Sequence, residues 1–287
     1  MSGQSTRILD HIIHLTPPGS LAETVKQFRS IGFTVVPGGT HADGLTANAL
    51  VLSDGVYLEL ISFTHTVEYY PPSSPDRSKR ESHWWASKHP GWIDFSHLAT
   101  SNDISEIIND RGRKEFTNVV YQPAAAGGRE RPDGKMLKWH VTFPDVKHGR
   151  GFLPFFCGDD TPREWRVPSE PASNTEHPST AQGIAHVRLL VEPELFHKLS
   201  DQLTSVLGTQ PIGGGTEMCW ELQTPNSVRT PSRTTKLILG PPRDDIEVES
   251  LRTKGRGIYE VAFWVIVRDE KKSADTPFGR VVWLPVK

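Results

Sequence analysis

The sequence predicts an α+β fold built from repeated βαβββ modules, and three observations carry this prediction. Apolar β runs at residues 8–15 and 56–61 flank a helical stretch that has clear start and stop signals. A similar order of segments begins again near residue 93. It begins a third time near residue 183. Recurrence of one supersecondary unit along a chain is typical of a repeat architecture.

The first predicted helix is defined by its two ends. Residues 20–23 read Ser-Leu-Ala-Glu, which has the form of a capping box. In that motif Ser20 and Glu23 would satisfy the free amide groups of the first turn. Apolar residues then follow at helical spacing and form one stripe. Gly32 ends the helix where a left-handed residue is favoured.

The β segments of this first module follow the helix. Residues 37–39 read Pro-Gly-Gly and are predicted to turn the chain. Asp54 and Gly55 form a two-residue hairpin turn between apolar runs at residues 48–52 and 56–63. The local unit is therefore βαβββ.

Modules two and three repeat this order less regularly. Module two opens with a strand at residues 93–99 and a helix from residue 103, and module three opens with a strand at residues 183–191 and a helix ending at Gly208. Their remaining predicted strands lie at residues 118–122, 136–143, 152–157, 236–239, 246–251, 258–267 and 280–286.

These modules set the predicted domain organisation. Module one (7–63) and module two (93–157) are separated by a polar, aromatic loop insertion (64–90), which is long enough to cover a site. A proline-rich connector (158–182) leads to module three (183–287), which is expected to pack on the same domain. Modules one and two could form one cup, or module three could complete a cup with module one.

Composition narrows the function classes. The formal charge of −2 gives no reason to expect nucleic acid as a partner. The polar start predicts no secretory signal, and no apolar run approaches a membrane span. Two cysteines form no disulfide framework, so a cytoplasmic location is expected. The Gly213–Gly215 run lacks the strand-to-helix context of a phosphate loop, so no nucleotide cofactor is expected.

Two polar residues interrupt the apolar strands of module one. His11 lies in the first strand and Glu59 in the last. A βαβββ sheet curls, so side chains from the middle of these strands can face one concave surface. Imidazole and carboxylate with open positions suit Zn, Ni, Mn or Fe. The alternative is a structural hydrogen-bonded pair, because an inward-facing glutamate needs a partner.

Several segments resemble a known superfamily. The glyoxalase-like branch of the vicinal-oxygen-chelate (glyoxalase/bleomycin-resistance/dihydroxybiphenyl dioxygenase) superfamily is resembled by residues 32–35, 38–41, 46–48, 57–61, 131–134, 137–139 and 153–156. The resemblance implies curled mixed sheets around a cup-shaped site. It is specific for the fold rather than the reaction, because the superfamily includes isomerases, dioxygenases, transferases and binding proteins.

The resemblance also implies a ligand set for a divalent metal ion (Zn, Ni, Mn or Fe). Carried over by position, His11 and Glu59 form the first pair, and His97 or His186 is the histidine of the partner module. Glu249 matches Glu59 in one alignment of module three, whereas another alignment leaves the final strand without a carboxylate. Glu59 or Glu249 would shuttle a proton.

Four further residues are predicted to contact substrate. His41 and Asn48 lie in segments that resemble the superfamily, and Trp84 and Trp85 lie in the loop insertion. The histidine and asparagine would orient a polar group, and the tryptophans would wall an apolar pocket. The alternatives are structural, because glycine-rich turns use Asn for backbone bonding and Trp can simply pack a loop down.

The predicted function is a glyoxalase-like small-molecule enzyme. A divalent metal would chelate vicinal oxygens of a carbonyl substrate and act as a Lewis acid in lyase or isomerase chemistry, with a dioxygenase as second choice. The alternative is a metal-free binding or sequestration protein of the bleomycin-resistance type. A homodimer is left open, because related cups close across subunits.

Overall fold

The computed structural model describes residues 4–131, 133–148, 150–225, 234–266, 273–276 and 279–286. Its strands form one mixed sheet of eight strands and one of six. This confirms the predicted α+β class with curled mixed sheets. Within the described ranges, no helix has both the length and the apolar character needed to cross a bilayer.

The eight-stranded sheet contains the strands of modules one and two, in the order β2-β3-β4-β1-β5-β8-β7-β6. At its centre β1 runs parallel to β4 and antiparallel to β5. Modules one and two therefore share one sheet. Its strands and nearby helices are β1 (Leu9–Thr16), α1 (Leu21–Ser30), β2 (Val36–Thr40), β3 (Thr46–Ser53), β4 (Val56–Phe63), α2 (Pro75–Ser82), β5 (Gly91–Leu98), α3 (Ile104–Lys114), β6 (Ala125–Glu130), β7 (Met136–Thr142) and β8 (Phe155–Asp159).

The six-stranded sheet has the order β10-β11-β9-β12-β14-β13. Here β9 runs parallel to β11 and antiparallel to β12, which repeats the central arrangement of the first sheet. Val267, the last residue of one predicted strand, lies outside the described residues, and the domain limits stay a prediction. The elements are α4 (Arg163–Arg166), β9 (Ala181–Leu190), α5 (Phe196–Leu207), β10 (Met218–Leu222), β11 (Thr235–Gly240), α6 (Asp245–Lys254), β12 (Gly257–Val265), β13 (Ser273–Asp275) and β14 (Arg280–Pro285).

One large hydrophobic core joins the two sheets. It includes Leu9 and Phe95 from the first sheet, Val187 and Phe263 from the second, and Phe28 from α1. Successive residues of a strand face opposite sides of its sheet. Burial of one face in this core therefore leaves the other face of the first sheet free to line a site.

Two turn predictions are confirmed by the backbone. Gly32 follows α1 with a φ of +94°, the left-handed region in which a side chain is strained. Asp54 and Gly55 have φ values of 52° and 76° and join β3 to β4 as the predicted two-residue hairpin turn. The turn brings Glu59 opposite Leu50 in the β3–β4 register.

Three local predictions about modules one and two are wrong. The Ser20 hydroxyl donates to the Pro17 carbonyl instead of capping α1. Residues 37–39 do not turn the chain but lie in β2, because an edge strand tolerates proline and glycine. Residues 118–122 do not form one of the strands of the sheet, whose corresponding strand is β6.

The predicted strand at residues 246–251 is also wrong, because α6 occupies this segment. The Asp244 side chain accepts the Glu247 amide at 2.9 Å and caps the helix. The exposed Ile246 and Val248 gave an alternation that imitates a strand. The alignment of Glu249 on Glu59 depended on that strand, so it is wrong as well.

Candidate active site

The free face of the first sheet encloses a cavity of about 760 Å³. The edge strands β2 and β6 contact each other, so the curled sheet is nearly closed. Polar side chains of module one line one side of this cavity, and mainly apolar side chains of the insertion and module two, several of them aromatic, line the other. Those discussed below are His11, His41, Asn48, Glu59, Trp84, Trp85, Arg129, Trp139, Phe155, Cys157 and Arg166.

His11 is oriented by the residue that precedes it. The register of β1 and β5 shifts between Leu9 and His11, and the Asp10 carboxylate lies 2.7 Å from His11 Nδ1. Burial alone would raise the pKa of Asp10, but Arg166 and Arg163 hold that pKa well below its usual range. Asp10 is therefore ionised and accepts the Nδ1 proton, which leaves His11 Nε2 towards Glu59.

The charges around Asp10 come from the predicted connector, which contains α4. Arg166 donates to Asp10 at 2.8 Å, to the Tyr57 hydroxyl at 2.8 Å and to Asp159 at 2.6 Å. Arg163 reaches the other Asp10 oxygen at 2.6 Å. These two arginines were missed in the sequence. Their spacing of three residues, which puts both on one helix face, was the available signal.

Glu59 lies at the polar end of the cavity and is only 6% exposed. Asn48 donates an amide N–H to Glu59 Oε1 at 2.5 Å, and its own Oδ1 accepts the Gly39 amide at 3.0 Å. His11 Nε2 lies 3.8 Å from Oε2 and His41 Nε2 lies 3.6 Å from Oε1, which is too long for hydrogen bonds. The carboxylate thus has one donor and two imidazoles beside it.

The four predicted substrate residues all line this cavity. His41 is held by Thr46, whose hydroxyl lies 2.7 Å from Nδ1. Trp85 is buried and donates its indole N–H to Asp94 at 3.1 Å, whereas Trp84 is half exposed at the rim. Trp139 completes the aromatic side and was missed, because only the curl of the sheet brings it opposite His41. Substrate contact by these residues stays a prediction.

The structure keeps His97, His186 and Glu249 away from the cavity. His97 packs between Phe95 and Phe156 on the core side of the sheet, where burial lowers its pKa to about 4. His186 is on the second sheet. Glu249 is exposed on α6 and bonded to Arg252. The ligand set implied by the resemblance is therefore not assembled, because these residues lie on another face or another sheet.

The residues at the cavity fit half of the implied metal site. His11, with its Nδ1 held by a carboxylate, has the orientation common in metal-binding histidines, and Glu59 faces it. Module two offers Phe155 and a Cys157 thiol whose pKa is raised to about 12 by burial, so neither is an anionic ligand. Among the described side chains, no three His, Cys, Asp or Glu residues are placed to hold a metal ion.

Comparisons with known proteins agree with this fold. The family model described as a glyoxalase-like domain matches residues 9–206. A hypothetical protein from Staphylococcus aureus is 12% identical with a TM-score of 0.65, covering 97% of this chain and 99% of its own. A triple mutant of 4-hydroxymandelate synthase from Streptomyces coelicolor is 11% identical with a TM-score of 0.53, covering 92% and 72%. At these identities the likeness concerns the vicinal-oxygen-chelate fold alone. A comparison with curated protein sequences finds no match.

Proposed function

This chain belongs to the glyoxalase-like domain family, and from that premise we propose that it is a small-molecule enzyme that moves a proton beside a carbonyl group. The surroundings of Glu59 carry the proposal. Among the described residues, this nearly buried carboxylate accepts one hydrogen bond, from Asn48, so it has lone pairs left for a substrate proton. A general base must reach that proton directly, and Glu59 lines the cavity.

The proposed step is a proton transfer that is balanced within the site. The Glu59 carboxylate takes a proton from the carbon next to the carbonyl. The electron pair of the broken C–H bond forms a double bond to the carbonyl carbon, and the π pair of the carbonyl group moves onto its oxygen. The Asp10 carboxylate holds the His11 ring by Nδ1, so that Nε2 donates a hydrogen bond to this oxyanion when that nitrogen carries a proton. Return of the proton from Glu59 to a neighbouring atom completes an isomerisation, and loss of a leaving group completes a lyase reaction.

Lyase or isomerase chemistry is proposed ahead of an oxygen-dependent reaction. The cavity supplies a proton carrier in Glu59 and two imidazoles in His11 and His41. The donor set from module two does not complete an iron site, because Phe155 and Cys157 line the cavity there. No step of the proposed chemistry therefore uses a metal.

Exchange of substrate protons with solvent tests this function. A panel of small carbonyl compounds is incubated with the protein in D₂O, and deuterium uptake next to the carbonyl is followed by NMR. We expect Glu59→Gln to slow the exchange by a factor of about 10² to 10⁴. The matched control is Glu260→Gln, a glutamate of the second sheet, which should keep the wild-type rate. Equal rates in wild type and Glu59→Gln contradict the proposal.

The divalent ion is a separate proposal with its own measurement. His11 and Glu59 would be its protein ligands, and the ion would supply Lewis-acid polarisation of the carbonyl. Metal analysis of the purified protein and of His11→Ala and Glu59→Ala is the test. Near-stoichiometric metal that is lost in both folded variants supports the ion, and no metal uptake after reconstitution counts against it.

Ligand sequestration without turnover is the second candidate function, favoured by the aromatic side of the cavity. Trp84, Trp85 and Trp139 offer a large apolar surface opposite the polar end. Saturable binding of an aromatic compound with no proton exchange, in wild type as in Glu59→Gln, supports this candidate. The cytoplasmic location and the homodimer remain proposals, and size-exclusion chromatography measures the latter.

A further inference from the structure

Arg129 is a buried cation of the cavity that has no partner among the described residues. It lies on β6, lines the cavity and is only 6% exposed. Within the described part of the chain, its guanidinium makes no hydrogen bond and no ion pair. The other buried arginines of that part all have partners: Arg166 binds Asp10 and Asp159, Arg188 binds Glu217 and Glu247, and Arg80 binds the His65 carbonyl.

A guanidinium that is buried in the cavity wall without a partner among the described residues favours binding of an anion. Arginine stays protonated in proteins, and a buried charge is costly unless it is paired. Burial lowers the pKa of Arg129, and the charge of the nearby Glu59 only partly opposes this. No ion pair of 4.0 Å or less joins Arg129 to Glu59. A ligand can thus lie against both residues.

The chain makes room for this guanidinium at the seam between the edge strands. A Cβ atom added at Gly39 on β2 would lie 2.8 Å from an Arg129 terminal nitrogen. Residue 39 is therefore a position where a side chain would displace the cation. The glycine leaves Arg129 in the wall that closes the cavity.

We infer that the cavity takes small molecules that carry one carboxylate and an aromatic body, with Arg129 as the residue that binds the carboxylate. Asp10 and Asp159 already neutralise Arg163 and Arg166, and Lys138 is exposed to solvent, so Arg129 supplies the buried, uncommitted positive charge among the described residues that line the cavity. The planar guanidinium matches a carboxylate in a two-bond fork. A phosphate dianion would leave one negative charge buried and unpaired. The inference rests on the proposed function in using the same cavity and defines its substrate class.

Three phenyl compounds that differ in their polar group test the inference. Phenylacetate, phenylacetamide and phenyl phosphate are titrated into the full-length protein at pH 7, and binding is followed by calorimetry and tryptophan fluorescence. We expect phenylacetate to bind at least about tenfold more tightly than phenylacetamide, because one charge-assisted hydrogen bond supplies that difference. Arg129→Met and Arg129→Gln should remove the preference and leave the affinity for phenylacetamide unchanged, which also shows that the variants are folded.

The matched control is Arg131→Met. Arg131 lies two residues further on, pairs with Asp133 and does not line the cavity, so this variant should keep the preference. The inference is overturned if phenylacetate binds no more tightly than phenylacetamide, if Arg129→Met keeps the preference, or if phenyl phosphate binds more tightly than phenylacetate.

Glu59→Gln separates this inference from the proposed function. It should lose proton exchange and keep the preference for phenylacetate. Preference without exchange in the wild type rejects the proton-transfer function and retains the carboxylate site. Proton exchange without a preference for phenylacetate rejects the carboxylate site and retains the proton-transfer function.

Discussion

Two histidine–glutamate pairs among the described residues differ in how closely their members approach. The histidine of one pair lies on β1 of the first sheet, and the histidine of the other lies on β9 of the second sheet. In the cavity, His11 Nε2 stays 3.8 Å from Glu59, whose one hydrogen-bond donor among the described residues is Asn48. On the second sheet, His186 Nε2 lies 2.8 Å from Glu260.

Glu260 and His186 form a closed pair, meaning that the glutamate is already hydrogen-bonded to protein side chains. Burial would raise its pKa, but the hydrogen bond from His186 and the charge of Arg280, 3.1 Å away, lower it. The same residue types therefore give a saturated structural pair on one sheet and an open pair on the other. What makes a candidate site is the bonding capacity that the fold leaves unused.

The largest expected effect comes from breaking the charge network under the open pair. Asp10→Asn leaves Arg163 and Arg166 without their shared buried carboxylate, which should lower the free energy of unfolding by about 3–5 kcal/mol. Urea unfolding followed by circular dichroism measures this loss. Asp133→Asn, at a partly exposed ion pair, is the control and should change it by less than about 1 kcal/mol. A loss below that value for Asp10→Asn contradicts the network.

Lowering the pH should reduce the free energy of unfolding, because His97 is buried in the core between the two sheets. His97 has a folded pKa of about 4 against an ordinary 6.5, so the unfolded chain binds its proton first as the pH falls. Its stabilising contribution is full above pH 6.5 and is lost down to pH 4, which amounts to roughly 3 kcal/mol. Urea unfolding at several pH values measures this. His97→Gln should flatten the dependence, and His89→Gln, at an exposed histidine, should not.

Breaking the closed pair should lower the free energy of unfolding by a smaller amount and leave ligand binding in the cavity unchanged. Glu260→Gln removes the charge that His186 and Arg280 share, and we expect a loss of about 1–2 kcal/mol in the free energy of unfolding. Phenylacetate affinity, measured by calorimetry on the folded variant, should stay at the wild-type value. A change in affinity of tenfold or more means that the second sheet acts on the cavity, which contradicts the comparison.

The smallest effect on stability is expected for Gly39→Ala. The added Cβ meets only the far end of the flexible Arg129 side chain, so the free energy of unfolding should change by less than about 0.5 kcal/mol. The displaced guanidinium should bind phenylacetate several-fold more weakly, with phenylacetamide unaffected. Unchanged affinity for both probes shows that the position of Arg129 is not set by Gly39.

Local chemistry in the sequence was sufficient for the βαβββ units. Apolar runs, the Asp54–Gly55 turn and Gly32 each act within a few residues, so they can be interpreted without tertiary contacts. The same kind of signal was misjudged at two helix starts. Residues 20–23 have the form of a capping box that does not form, whereas Asp244 caps α6 through the Glu247 amide and was not recognised as a helix start.

The polar residues of the cavity were predicted only where they belong to module one. His11, Glu59, His41 and Asn48 lie on neighbouring strands, so strand periodicity and the resemblance were enough to place them together. Arg129 reaches the cavity through the closure of the sheet, which no local pattern reveals. The spacing of Arg163 and Arg166 indicates a shared helix face, but it does not reveal that the connector returns to the cavity. His97 was misplaced because one residue of register moves a side chain to the other face.

The antiparallel pairing of β1 with β5 has an evolutionary meaning. Four strands stand on each side of this seam in matching order, as two copies of one unit would stand in a twofold-symmetric dimer. In such a dimer both subunits have the same sequence, so every mutation changes both sides of the shared cavity. Joined in one polypeptide, the halves can diverge separately, so Phe155 and Cys157 can face the cavity in one half while His11 and Glu59 remain in the other.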